Sequence, residues 1–94
     1  MEKTVKRKLS IVCDNIRLQR QIKNYTQGYM AQELSISQNA FSKIELGVTQ
    51  PSMKRIFQIA FILEISVSNL IDPAPAITLN SLSHDNTVKI SAAG

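Results

Sequence analysis

The stretch Thr26-Gln27-Gly28-Tyr29-Met30-Ala31-Gln32-Glu33-Leu34-Ser35-Ile36-Ser37-Gln38-Asn39-Ala40-Phe41-Ser42-Lys43-Ile44-Glu45 reads as two short helices joined by a tight turn. Thr26 and Ser37 are each placed to cap a helix, where a hydroxyl accepts a hydrogen bond from a backbone N–H of the first turn. Met30, Leu34, Ile36, Phe41 and Ile44 supply apolar contacts that would fix the angle between the helices. Ala31 is small at the point where the two must cross.

Helical spacing continues on both sides. Leu9, Val12, Cys13, Ile16 and the stem of Arg20 recur on one face, so a first helix is predicted from about Leu9 or Ser10 to Lys23. Asn24 ends it, because asparagine tolerates the left-handed conformation wanted just past a helix. The third helix reaches Leu46, with Gly47 where a left-handed terminator is expected. After the loop Val48-Thr49-Gln50-Pro51, Ser52 caps a fourth helix with Met53, Ile56, Ile59, Ala60 and Leu63 as its inner stripe. Ser66 or Ser68 opens a last short turn through Leu70-Ile71, closed by Asp72-Pro73. The expected architecture is all-α: five helices in one domain over residues 9–72, a flexible basic segment over 1–8 and a tail over 73–94.

Ninety-four residues make one domain with a modest core. The single cysteine, Cys13, excludes an intramolecular disulfide and fits a reducing cytoplasm. No apolar run approaches the roughly 18 residues that span a bilayer, and Asp14-Asn15-Ile16-Arg17 interrupts the only stretch that could begin a signal peptide. A cytoplasmic protein without a membrane role is expected. The net charge of +4 is concentrated upstream: residues 1–23 carry seven Lys and Arg against Glu2 and Asp14, while residues 24–71 are balanced. Phosphate attraction, if present, must come largely from the N-terminal segment.

Gln38, Asn39, Ser42 and Lys43 follow the Ser37 cap and project from the side of the third helix opposite Phe41 and Ile44. Gln and Asn can pair in bidentate fashion with adenine, and Lys can reach guanine O6 and N7. This is the form of a helix-turn-helix, whose second helix enters the DNA major groove. From Asn15 to Ile71 the chain resembles the Xre family, which includes the Cro proteins and lambdoid phage repressors. The resemblance rests on Arg20, Thr26-Gln27, Ala31, Ile36-Ser37, Phe41-Ser42-Lys43-Ile44-Glu45, Gly47, Pro51-Ser52, Ile59-Ala60 and Val67-Ser68.

That resemblance implies a five-helix, lambda-repressor-like DNA-binding domain acting as a dimeric transcriptional regulator, in most cases a repressor, on a near-palindromic operator. It implies that Gln38, Asn39, Ser42 and Lys43 read bases. Gln27 matches a position that touches phosphate and steadies the first residue of the third helix. Thr26 and Ser37, at helix N-termini, and Lys6, Arg7 and Lys8 join it as phosphate or positioning residues; the Lys6-Arg7-Lys8 run reads equally as a phosphate or minor-groove arm and as a solvated end. Arg20 and Glu45 match a largely buried ion pair that joins the first helix to the end of the third.

The chain departs from the family pattern in several places. Ser35 holds a turn position that is commonly glycine, Gln19 replaces a usual Leu or Ile, and Leu46 and Val48 replace polar or basic phosphate contacts. Ile11, Leu18 and Ile22 lie off the core face of the first helix, and Phe61 points away from the inner stripe of the fourth. Four such residues call for a cover, whether the tail, a second subunit or another protein. In the tail, Ile77-Thr78-Leu79 and Thr87-Val88-Lys89-Ile90 alternate as two short strands would, so that segment reads either as a dimerising β arm or as disordered chain. His84 stands alone in a polar stretch, and no residues form a metal, cofactor or nucleophile motif, so neither enzyme activity nor a cofactor is expected. On the same fold the alternatives are an antitoxin with a toxin partner, a restriction–modification controller, or a protein-interaction module that has lost DNA binding.

Overall fold

The computed structural model describes residues 1–72 and holds five helices: α1 (Glu2–Ile22), α2 (Gln27–Leu34), α3 (Gln38–Glu45), α4 (Met53–Leu63) and α5 (Val67–Ile71). The described residues contain no strand; the strand and dimerisation expectations for the tail, and His84, lie outside them. α2 packs on α3 as the helix-turn-helix pair, α1 lies against α3 and α5, and α4 closes the other side against α2 and α5. Ile16, Met30, Phe41, Ile59, Leu63 and Leu70 are the largest fully buried side chains, and together they join all five helices in one core.

Thr26, Ser37, Ser52 and Ser66 each accept a hydrogen bond from the backbone N–H three residues on, so α2 to α5 all open on a hydroxyl cap. The ends of α1 to α4 share a second device. Asn24, Ser35, Gly47 and Glu64 adopt positive φ, at 60°, 59°, 78° and 59°. Behind each, the next residue's N–H returns to the carbonyl five residues back, as Tyr25 does to Arg20 at 3.0 Å and Ile36 to Ala31 at 3.0 Å. The residue after the left-handed one is apolar in every case, and Tyr25, Ile36 and Ile65 pack against the core there. Val48 is the exception and is exposed.

Two sequence expectations need correction. α1 starts at Glu2 rather than at Leu9 or Ser10, and so takes in the basic segment 2–8. Lys, Arg and Glu are good helix formers, nothing in 2–8 breaks a helix, and Val5 and Leu9 extend the Val12–Ile16 stripe by two further turns. Met53 is the second: it belongs to the solvent side of α4, not to the inner stripe, which Ile56, Ile59, Ala60 and Leu63 complete without it.

Asn15 carries a role that the sequence did not announce. It is buried on α1 and donates from Nδ2 to the carbonyls of Asn69 at 2.8 Å and Leu70 at 2.9 Å, thereby satisfying the open end of α5. Asn15→Ala is expected to lower unfolding stability by about 1–3 kcal/mol, the cost of leaving buried carbonyls unpaired, as read from urea denaturation. Ser35→Gly should act in the opposite sense, raising stability by up to about 1 kcal/mol in the same assay, because only the serine strains the left-handed turn.

Candidate nucleic-acid interface

α3 is short, and its placement depends on a polar knot at its last residue. The Glu45 side chain is 2% exposed and that of Arg20 12%. Arg20 Nε donates to Glu45 Oε2 at 2.6 Å and Nη2 to Oε1 at 3.2 Å, a two-pronged pairing of guanidinium and carboxylate. Arg20 Nη1 also donates to the Tyr25 carbonyl at 2.8 Å, in the turn between α1 and α2. Gln27 Nε2 completes the set by donating to Glu45 Oε1 at 2.9 Å. The ion pair implied by the family resemblance is therefore present and nearly dry, with its charges satisfied by further hydrogen bonds.

Gln27 serves a different end of α3 from the one expected. Its amide reaches Glu45 rather than the first residue of α3. Gln38 instead lies back over the opening of α2, its Oε1 3.5 Å from where a Cβ on Gly28 would stand. The first turn of α2 is thus bonded to the last residue of α3 and lies close to its first.

On the outer side of α3, Gln38, Asn39 and Lys43 are exposed and Ser42 is half-buried, while Phe41 and Ile44 face the core. The four expected base-reading residues share this one helix, behind the Ser37 cap. Beside them runs a shallow cleft that brings Asn39 and Lys43 together with Thr49, Gln50 and Arg55 and with the Ser52 cap of α4. Arg55 was missed by sequence reasoning. It donates to the Leu34 carbonyl at 3.3 Å and to Gln58 Oε1 at 3.0 Å, a cation held at the negative end of α2. Only its spacing from Ser52, three residues inside α4, could have pointed to it.

Thr26 is exposed at the start of α2 and Lys6, Arg7 and Lys8 are exposed along the first turns of α1. Lys6 lines a second cleft, with Leu9, Leu46 and Val48, and so lies near the α3–α4 loop. Ile11, Leu18, Ile22 and Phe61 are all exposed. Cys13 is buried, and its thiol pKa is raised by desolvation and then by the Asp14 carboxylate, the reverse of what thiolate chemistry requires. Among the described residues no group of three or more His, Cys, Asp or Glu could hold a metal ion, and no helix is long and apolar enough to cross a membrane.

A capped helix presenting amides, a hydroxyl and a lysine, packed on a second helix and bonded to it through Glu45 and Gln27, defines a helix-turn-helix domain. The helix-turn-helix family profile matches residues 16–70, more than half the chain. The chain belongs to the Xre-type helix-turn-helix family. It is similar to the cryptic phage CTXphi transcriptional repressor RstR of Vibrio cholerae serotype O1, with 42% identity over 52 residues. That match covers 55% of this chain and 46% of the relative, so the chain spans about half the length of the repressor it resembles. No solved structure matches it.

Because Glu45 has almost no solvent to fall back on, Arg20→Ala should strand a buried carboxylate. The expected loss is about 3–5 kcal/mol in chemical denaturation, the range for breaking a buried pair. A loss below about 1 kcal/mol would mean that water screens the pair in solution.

Proposed function

We propose that this protein is a sequence-specific DNA-binding transcriptional regulator, acting as a repressor, that binds a near-palindromic operator as a dimer. The observation that carries the reading is the exposed row Gln38, Asn39, Ser42 and Lys43 on a helix held by the Arg20–Glu45–Gln27 knot. A helix that reads base edges must be stiff, since base-pair discrimination of about 1–3 kcal/mol for a bidentate contact depends on geometry. The repressor likeness and the family assignment support the same reading.

In this proposal Gln38 and Asn39 meet the base edges at the N-terminal end of α3, and Lys43 and Ser42 follow one turn on. Thr26, Ser37 and Gln27, with Arg55 and the N-terminus of α4, flank the groove where phosphate oxygens would lie. Lys6, Arg7 and Lys8 add long-range attraction from α1. Two copies would set their α3 helices about 34 Å apart, one turn of B-DNA.

One feature favours a second reading. Leu46 and Val48 are exposed on the α3–α4 loop, where the family pattern leads one to expect polar or basic groups. An apolar loop suits a protein partner, such as the toxin of a toxin–antitoxin pair, better than a phosphate backbone. The two readings separate by salt: a phosphate interface weakens steeply as salt rises, and an apolar one does not.

Selection of bound sequences from a random duplex library at physiological salt should return a two-fold symmetric consensus. Gln38→Ala and Asn39→Ala should each change that consensus at one position of each half-site. Joint neutralisation of Lys6, Arg7 and Lys8 should weaken all sequences alike and flatten the salt dependence. A folded protein that enriches nothing would transfer the function to partner binding.

A further inference from the structure

Three large apolar side chains stand on the outer face of α4. Met53, Phe57 and Phe61 are 57%, 56% and 84% exposed. Their i, i+4, i+8 spacing aligns them as one ridge along the helix. The ridge borders a shallow groove whose walls include Leu34 and Ile62, between α4 and the end of α2. A single exposed apolar residue is ordinary, but a row of three that includes two phenylalanines marks a contact surface.

The form of the ridge indicates its occupant. Phe57 is its centre, with Met53 one turn before it and Phe61 one turn after. A two-fold axis at Phe57 would set Phe57 against itself and Met53 against Phe61, the self-complementarity that an isologous contact requires. The charges at the two ends agree. Lys54 lies beside Met53, whereas Glu33 lines the groove with Phe57 and Phe61; Glu64, three residues after Phe61, is paired with Lys23 Nζ at 3.3 Å. Both carboxylates also act on Tyr29, whose phenol pKa is raised by desolvation first and then by its neighbours, Glu33 and Glu64 among them. Lys54 marks one end of the ridge and Glu33 the other, so antiparallel ridges bring these unlike charges together and parallel ridges would oppose like ones.

We propose that the outer face of α4 is the seam of a homodimer, two copies packing Met53, Phe57 and Phe61 antiparallel about a two-fold axis at Phe57. Ridges of i±4n type interdigitate at a crossing angle of about −50°, which keeps the contact to the two or three turns that the ridge occupies. The proposal rests on the dimeric reading above and assigns it a surface. Of the four residues singled out in the sequence as a cover-seeking set it uses Phe61, and it leaves Ile11, Leu18 and Ile22 on α1 outside the seam.

The test is the mass of the full 94-residue chain by sedimentation equilibrium at high micromolar concentration, without DNA. The unaltered chain should run at twice its 10.5 kDa. Phe57→Glu should run as one chain with its helical circular dichroism intact, because the side chain is at the surface and like charges would meet on the axis. Phe57→Lys should do the same, and an equimolar mixture of the two variants should recover the dimer, since opposite charges now meet. Leu18→Glu should remain dimeric. A monomeric unaltered chain, a dimeric Phe57→Glu, a mixture that stays monomeric, or dissociation by Leu18→Glu in place of Phe57→Glu would each overturn the seam. With no DNA present the result is independent of α3: a dimer that selects no sequence would sink the DNA reading and leave the seam standing, and a monomer that selects a half-site would do the reverse.

Discussion

The carboxylate of Glu45 is the point on which the domain turns. Burying a charge costs several kcal/mol unless it is paired and its lone pairs are used, and three donors from Arg20 and Gln27 meet that requirement. Those donors come from α1 and from the first turn of α2, and Glu45 is the last residue of α3. One satisfied anion therefore fixes three helices relative to one another. Apolar packing of Phe41 and Ile44 supplies cohesion, but it is not directional. The guanidinium fork is directional, and a lysine could not reproduce both prongs together with the bond to the Tyr25 carbonyl.

The remainder of the framework is built from helix ends. Hydroxyl caps open four helices, and left-handed residues close four, with three of those closures made by Asn, Ser and Glu rather than by glycine. Each of these three non-glycine closures turns the chain sharply and sends the next apolar residue inward. This is how helices of 8 and 11 residues can surround one small core with connections of only a few residues. Asn15 applies the same economy across the fold, meeting from α1 the carbonyls of Asn69 and Leu70 in α5.

Most of this framework was legible in the sequence because its signals are local. Thr26, Ser37 and Ser52 announce helix starts by residue type, Asn24 and Gly47 announce ends, and the apolar spacing of α2, α3 and the inner side of α4 identifies the core. Arg20 and Glu45 were legible only through the family resemblance, since no spacing rule pairs residues 25 apart. What escaped had a physical reason in each case. A run rich in Lys and Arg reads as solvated end, yet the same residues are good helix formers, and α1 extends through them. Met53 fits a helical stripe at the edge, where a small rotation carries a side chain from core to solvent. Asn15 and Arg55 act on carbonyls of distant helices, and a backbone acceptor leaves no mark in the sequence. Glu64 at positive φ had no compositional warning, because glutamate rarely takes that conformation.

The unbroken length of α1 has an implication for the thermodynamics of association. At 1.5 Å per residue its 21 residues form a rod about 31 Å long, with Arg20 near one end and the lysines and Arg7 near the other. A cationic strand without fixed structure would surrender conformational freedom on meeting a polyanion, at roughly 1–2 kcal/mol per residue ordered. Cations on a formed helix have already given up backbone freedom during folding, so a larger share of their attraction remains as binding free energy. Because Arg20 belongs to the same rod, a force on its basic end is also transmitted to the seat of α3. Attraction and orientation become properties of one rigid body, and a glycine insertion in the first turns of α1 would separate them without removing a single charge.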